Sequence, residues 1–236
     1  MGRKRAARKI CGFYVLVISL FLVGILAGNR VVSVFSQGEV LKNRHQIVLD
    51  AGHGGEDGGT TSCTGKLESS FNLEITKRLD DLFHLLGYYT VMIRTEDTSI
   101  YTKGGSIAQK KVSDLKERVR IVNETSGALL VSIHQNHFPD GKYSGPQVFY
   151  ATSAESEKLA KLLQVSLIKT LSPGNARREK QSKGIYLMDQ IQCTGVLIEC
   201  GFLSNAQEEA KLRTADYQKL LSGVIATTVA EYLNGT

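Results

Sequence analysis

The sequence predicts one α/β domain: a mostly parallel sheet covered by helices on both faces, preceded by one N-terminal apolar helix. Three observations carry that expectation. Five short runs rich in Val, Ile and Leu lack the polar alternation of half-exposed strands, as strands buried on both faces should. Stretches with apolar residues at helical spacing lie between them, the alternation that builds a parallel sheet. Ahead of both, residues 10–28 carry no charge at all.

In chain order, Arg3, Lys4, Arg5, Arg8 and Lys9 come directly before the run ICGFYVLVISLFLVGILAG, which ends at Gly28. A bilayer core takes about 20 apolar residues. Residues 1–28 therefore read as a basic n-region with a signal peptide or membrane anchor, its charged end kept in the cytoplasm. Val34-Phe35-Ser36 is a weak cleavage site, which favours the uncleaved anchor; either way Asn29 onward is exported. Residues 29–44 read as a linker and 45–236 as the domain.

The expected strands are 46–49, 90–94, 129–133, 147–150 and 196–198. Phe71, Ile75, Leu79, Leu82, Phe83 and Leu86 mark the first helix, and Gly87 supplies its stop signal. Leu115, Val119 and Val122 mark a second. Leu159, Leu162, Leu163, Leu167 and Leu171 mark a third, closed by Pro173. Tyr217, Leu220, Leu221, Val224, Ile225, Tyr232 and Leu233 mark the last.

The chain has 29 basic and 23 acidic residues, a net charge of +6, which at first invites a nucleic-acid reading. Six of the basic residues lie in residues 1–30, where there is no acid, so the remainder is neutral. A nucleic-acid footprint needs Lys and Arg gathered on the folded domain, and no nucleic-acid partner is expected. Cys11 lies in the apolar segment. Cys63, Cys193 and Cys200 form no C-x-x-C pair, so neither a disulfide framework nor a thiolate zinc site is indicated. Cys200, after a Val-Leu-Ile run, reads as a small buried residue.

In an open parallel sheet, function collects at the carboxyl ends of the strands. The first strand runs into Asp50-Ala51-Gly52-His53, the third into His134-Gln135-Asn136-His137, and the last into Glu199-Cys200-Gly201-Phe202. Two histidines and a carboxylate thus emerge on one edge from strands far apart in sequence. A catalytic zinc takes three protein ligands from His and Asp/Glu and leaves a fourth position to water. His53 and His134 supply two. Glu68, at the start of the first helix, is the natural third, although by pattern alone it reads equally as a first-turn acid favoured by the helix dipole. Glu199 follows an apolar strand directly, and burial raises a carboxyl pKa towards that of a proton shuttle; a capping or salt-bridged Glu is the alternative.

The glycine-rich loop 53–59 lacks G-K-[ST] and G-x-G-x-x-G, and its Glu56 and Asp57 would repel phosphate. Its glycines are expected to allow close backbone approach around His53. Without a G-x-S-x-G elbow, serine hydrolase chemistry is also set aside.

Four segments in order, IVLDAGHGGEDGG, LESSFNLEITKRL, LLVSIHQNH and VLIECGFLSN, resemble the zinc-dependent N-acetylmuramoyl-L-alanine amidases of bacteria. The resemblance covers about residues 45–234 and is greatest to the germination-specific (spore-cortex) branch of endospore formers, short chains with one N-terminal membrane segment. It implies one zinc ion held by His53, Glu68 and His134, with Glu199 as the catalytic carboxylate. It also puts Asn136 and Arg94 at family positions that contact substrate or support the ligands. It further implies cortex peptidoglycan as substrate, muramic-δ-lactam formation downstream, a place outside the cytoplasmic membrane, and room for an activator protein. Two departures bear on fine substrate preference: His137 stands where the family usually has a small residue, and Cys193-Thr194-Gly195 where it commonly has a proline. The rivals are an exported zinc peptidase of the stem peptide and a non-catalytic peptidoglycan-binding protein. The latter would have lost a ligand or the carboxylate, and here all four positions are filled.

Overall fold

A computed structural model describes residues 45–235; the apolar segment and linker expected in residues 1–44 lie outside them. Six strands form one sheet: β1 (Gln46–Ala51), β2 (Thr90–Met92), β3 (Ala128–Asn136), β4 (Gln147–Tyr150), β5 (Lys180–Gln181) and β6 (Thr194–Phe202). Their order is β2-β1-β3-β6-β4-β5. The first four in that order run parallel, β4 pairs antiparallel with β6, and β5 lies parallel to β4. The sheet is mostly parallel, with a reversed pair at one edge.

Strand lengths differ from expectation in a way that matters. β2 stops at Met92, so Ile93 and Arg94 lie beyond it. β3 and β6 run further than their apolar cores, so His134, Asn136 and Glu199 are strand residues and not loop residues. In the parallel ladder Cα of His134 faces Cα of Glu199, just before the register shifts. Backbone hydrogen bonds therefore fix the spacing of these two side chains.

Six helices cover the sheet: α1 (Glu68–Leu85), α2 (Ile107–Glu124), α3 (Ala154–Leu171), α4 (Tyr186–Gln190), α5 (Ala206–Leu212) and α6 (Ala215–Asn234). Side chains alternate along a strand, so Ile47 and Leu49 point to one face, where Phe71, Ile75, Leu159 and Ile225 from α1, α3 and α6 bury them. Val48 and Leu130 point to the other, against Val122 of α2 and Leu187 of α4. The helix ends follow local chemistry. Ser106 and Gln109 form a capping box on α2, and Gly87, at φ 86°, closes α1 as expected. Among the described residues no helix is long and apolar enough to cross a membrane.

One buried ion pair ties the α2 face to the end of β1. Arg118 of α2 pairs with Asp50 and with Asp114, and the Ser132 hydroxyl donates to the second Asp50 oxygen at 2.6 Å. Burial alone would raise the Asp50 carboxyl, but the charges of Arg118 and His134 and the bond from Ser132 hold it below the ordinary value. Removing one partner of a buried pair strands the other charge. Arg118→Met is therefore expected to destabilise the domain by about 3–5 kcal/mol in urea unfolding. Because the folded carboxyl is depressed, its contribution is present above about pH 4 and is lost as pH falls through the folded pKa. The wild type should thus lose stability on acidification more steeply than Asp50→Asn.

Candidate metal centre

The segment leaving β1 is held by donors on its successive carbonyls. Arg94 donates to Ala51 at 2.8 Å and Gly52 at 3.1 Å, and Arg118 to Ala51 at 3.0 Å and His53 at 2.8 Å. Asn72 adds a bond to Gly52 at 3.1 Å. Arg94 reaches also to the Ser69 carbonyl at 2.9 Å, joining this segment to the first turn of α1. Its side chain is fully buried, so it acts from beneath the loop. These bonds hold His53 at φ 61°, a left-handed backbone that non-glycine residues seldom adopt.

Two glycines make the approach of the side chains possible. A Cβ on Gly52 would lie 2.2 Å from the His134 ring. At Gly59, with φ 69°, a Cβ would fall 2.6 Å from Glu68 Oε2 and 2.7 Å from His53 Cδ2.

Glu68 opens α1 without a side-chain cap ahead of it. Instead the loop supplies acceptors: Glu68 N donates to the Thr60 carbonyl and Ser69 N to that of Gly58. The Glu68 carboxylate turns inward and is 4% exposed. It accepts from Thr60 N at 3.0 Å, Gln135 N at 3.2 Å and Asn72 Nδ2 at 3.2 Å. Its oxygens lie 3.3 Å from His53 Nε2 and 3.0 Å from His134 Nδ1. The two imidazoles stand edge to face with centroids 5.1 Å apart. One ligand atom from each of His53, Glu68 and His134 falls within 4.8 Å of the others, a group that can hold a metal ion.

The titratable groups of the cluster shift one another strongly. Burial would raise the Glu68 carboxyl, but hydrogen bonds and charge from His134 and His53 hold it far below the usual carboxylate range. Burial disfavours charged His53, yet its bonds to Asp57 and Glu68 outweigh this and raise it to about 9. Glu199 goes the other way. Burial, reinforced by the Glu68 charge and opposed by His134 and His53, pushes its carboxyl up to about 7. Its Oε2 is buried and has no hydrogen-bond partner among the described residues. A base near neutral pKa, beside a three-donor cluster, is equipped to move a proton during hydrolysis.

Several supporting residues were not expected. Asp57 binds His53 Nδ1 at 3.0 Å and is itself paired with Lys111 of α2 at 3.1 Å, leaving His53 Nε2 for the cluster. A carboxylate on the far ring nitrogen is the usual device for orienting a metal-binding histidine. Charge at Asp57 signals only that the loop is no phosphate cradle; a His-x-x-x-Asp spacing in a glycine-rich loop was the available clue. Asn136 is half-buried at the end of β3, with its carbonyl bonded to Leu203 N at 2.8 Å, and His137 is exposed. Cys200 is buried, Cys193 half-buried and Cys63 exposed, all three free.

A family profile described as N-acetylmuramoyl-L-alanine amidase matches residues 47–231. The chain is 39% identical over 189 residues to the germination-specific N-acetylmuramoyl-L-alanine amidase of Bacillus subtilis, covering 79% of this chain and 78% of that one. Among solved structures, it is similar to the CwlD amidase of Clostridioides difficile in complex with the GerS lipoprotein. That match has TM-score 0.78 and 35% identity, and covers 81% of this chain and 100% of the other. An N-acetylmuramoyl-L-alanine amidase of Clostridium difficile 630 matches with TM-score 0.71 and 31% identity, over 82% and 99% of the two chains.

Proposed function

This chain belongs to the N-acetylmuramoyl-L-alanine amidase family, and from that premise we propose that it is a zinc enzyme that strips stem peptides from spore-cortex peptidoglycan. The observation that carries the reading is the cluster of His53, Glu68 and His134 beside a carboxylate, Glu199, whose buried oxygen lacks a partner. Two imidazoles and one carboxylate are the ligand types of catalytic zinc sites that keep a position open, so the donor set fits the ion.

In this reading His53, Glu68 and His134 are the ligands, and Asp57 holds the His53 ring in the tautomer that offers Nε2. Bound zinc would supply Lewis acidity at the lactyl carbonyl of muramic acid. Glu199 accepts the proton of the attacking water on its carboxylate. It then delivers that proton to the amine of L-alanine as the amide bond breaks. Arg94, Arg118 and Asn72 keep the β1 exit rigid, so the ligands do not relax away from this arrangement. Asn136, two residues past His134 on β3, is assigned to contact substrate.

We further assign the protein to the outer side of the cytoplasmic membrane, tethered by residues 10–28, on the strength of the basic and apolar N-terminal sequence. The Clostridioides difficile relative was solved in complex with a lipoprotein, and we extend a partner of that kind to this chain. The germination-specific relative supports cortex as the substrate.

Two measurements on the zinc-loaded full chain test the proposal. Metal analysis should give one zinc per chain, and incubation with cortex peptidoglycan should release peptides with a free L-alanine amino terminus. Spores lacking the protein should have cortex without muramic-δ-lactam. No bound metal and no peptide release would sink the enzyme reading; lactam persisting at its normal level would sink the cortex assignment alone. Asp57→Asn should weaken zinc binding by about 10–100-fold, the usual cost of losing a ligand's outer partner. Competition with a chelator measures that, and unchanged affinity would remove Asp57 from the account.

A further inference from the structure

The sheet edge that carries the cluster also carries an aromatic shelf. The connection from β3 to β4 brings Phe138 and Tyr143 edge to face with centroids 4.8 Å apart, and Tyr143 lies 6.1 Å from the ring of Phe202. Phe138 stays 47% exposed and Tyr143 38%.

The backbone beneath these rings is tightly bound. Phe138 N donates to Ser204 Oγ, and Asn205 Nδ2 donates to the carbonyls of Gly141 and Tyr143. Arg177 donates to the carbonyls of Ser144 and Gly145, and Gly145 N donates to Glu208. A connection so well tied has no need to leave two large rings in water. Two adjacent half-exposed aromatic rings on an ordered frame offer flat apolar faces with a polar handle at Tyr143.

Their position relative to the candidate site is set by the strands. Phe202 is three residues beyond Glu199 on β6, and Asn136, its partner on β3, is two beyond His134. At about 3.3 Å per residue, the Phe202 backbone lies within roughly 10 Å of that of Glu199, less where the register shifts between them.

We propose that Phe138 and Tyr143 form a glycan subsite, stacking on a sugar of the strand next to the muramic acid whose peptide is cut. The proposal rests on the amidase reading, in which the cleaved bond joins a glycan strand to a peptide, so sugars must run past the site. Rigid aromatic faces suit the apolar face of a pyranose, and the Tyr143 hydroxyl can meet the sugar's own hydroxyls. A stem peptide, rich in carboxylates, would call for free cations. Those at the shelf are engaged: Lys142 pairs with Asp140 and lies over Tyr143, and Arg177 lies over Phe202 while bonded to carbonyls.

The test compares two substrates of the zinc-loaded full chain. One is a single muramic acid bearing its peptide, and the other is a strand of several disaccharides bearing the same peptide. Joint Phe138→Ala and Tyr143→Ala should raise KM for the strand about tenfold, the loss expected from baring half-covered aromatic surface. The change should be confined to the strand and leave kcat near its wild-type value. Tyr143→Phe, which keeps the ring, should retain most of the strand affinity. An unchanged KM would overturn the subsite and leave the rings to a protein partner. Equal losses on both substrates would overturn it too, since the rings would then merely support the centre. Calorimetry with a peptide-free strand reads the same contact without hydrolysis: the double variant should bind about tenfold more weakly. An inactive wild type that still bound the strand through these rings would fail the amidase reading and leave the subsite standing.

Discussion

Glu199→Gln is expected to lower kcat by about 10²–10⁴-fold while the protein keeps its zinc and its fold. Gln has the shape of Glu but cannot accept a proton. The position makes the substitution clean. The Glu199 carboxyl sits at about 7, pushed up mainly by burial, and its Oε2 has no partner to lose. Replacing a half-buried carboxylate whose one buried oxygen lacks a partner by a neutral amide should therefore cost little stability. Because the proton moves only during reaction, the loss should fall on kcat and kcat/KM alike, with KM nearly unchanged. Steady-state rates on a purified muropeptide, with zinc analysis of the same sample, check this. A variant with wild-type turnover would remove Glu199 from the chemistry.

Glu68→Gln should empty the site. The carboxylate lies between His53 Nε2 and His134 Nδ1 and also accepts from Thr60 N and Gln135 N. Gln has a single acceptor oxygen, so it keeps the bond from Thr60 N or that from Gln135 N but not both, while the backbone bonds from Glu68 N to Thr60 and from Ser69 N to Gly58 still hold the start of α1. What it cannot supply is the negative charge held far below the usual carboxylate range between two imidazoles. Losing an outer partner of a ligand costs about 10–100-fold in metal affinity, so losing a ligand should cost more than about 100-fold. Zinc content after gel filtration should fall well below one per chain, and peptide release should fall with it. An unfolding midpoint close to wild type would show that the metal was lost and not the fold. Full zinc retention would return Glu68 to its other reading, a first-turn acid favoured by the helix dipole.

Much of the fold was legible because short apolar runs and helical spacing are local signals. Ile47–Leu49 and Val196–Ile198 announce buried strands, and Phe71, Ile75 and Leu79 announce the face of α1. Direction is not local. Nothing in the apolar residues of β4 says that it runs against β6, and the two-residue β5 is too short to leave a pattern. Polar residues imply a loop, so by sequence alone His134 and Glu199 read as lying past the ends of their strands. Ladder hydrogen bonds instead carry the strands past the point where the side chains turn polar.

The candidate site divides in the same way. His53, His134 and Glu199 show themselves as polar residues ending apolar strands. Glu68 needed the fold, because only the docking of α1 against the loop turns a first-turn acid inward. The bond between Asp57 and His53 depends on a left-handed backbone at His53, held by Arg118 from a helix 65 residues away in sequence. A side chain that acts through backbone carbonyls leaves no spacing to recognise. Arg94 is a related case: the family resemblance marks it as a residue that supports the ligands or contacts substrate, and the fold adds which atoms it holds, the carbonyls of Ala51, Gly52 and Ser69.

The proposed reaction adds water across the bond between muramic acid and L-alanine. Running the zinc-loaded enzyme on a purified muropeptide in water enriched in heavy oxygen tests it directly. Mass spectrometry should find the label in the lactyl carboxylate of muramic acid, and an unlabelled peptide with a free L-alanine amino terminus. Label on a carboxylate inside the peptide, with L-alanine still attached to the sugar, would make the protein a stem-peptide peptidase and contradict the account.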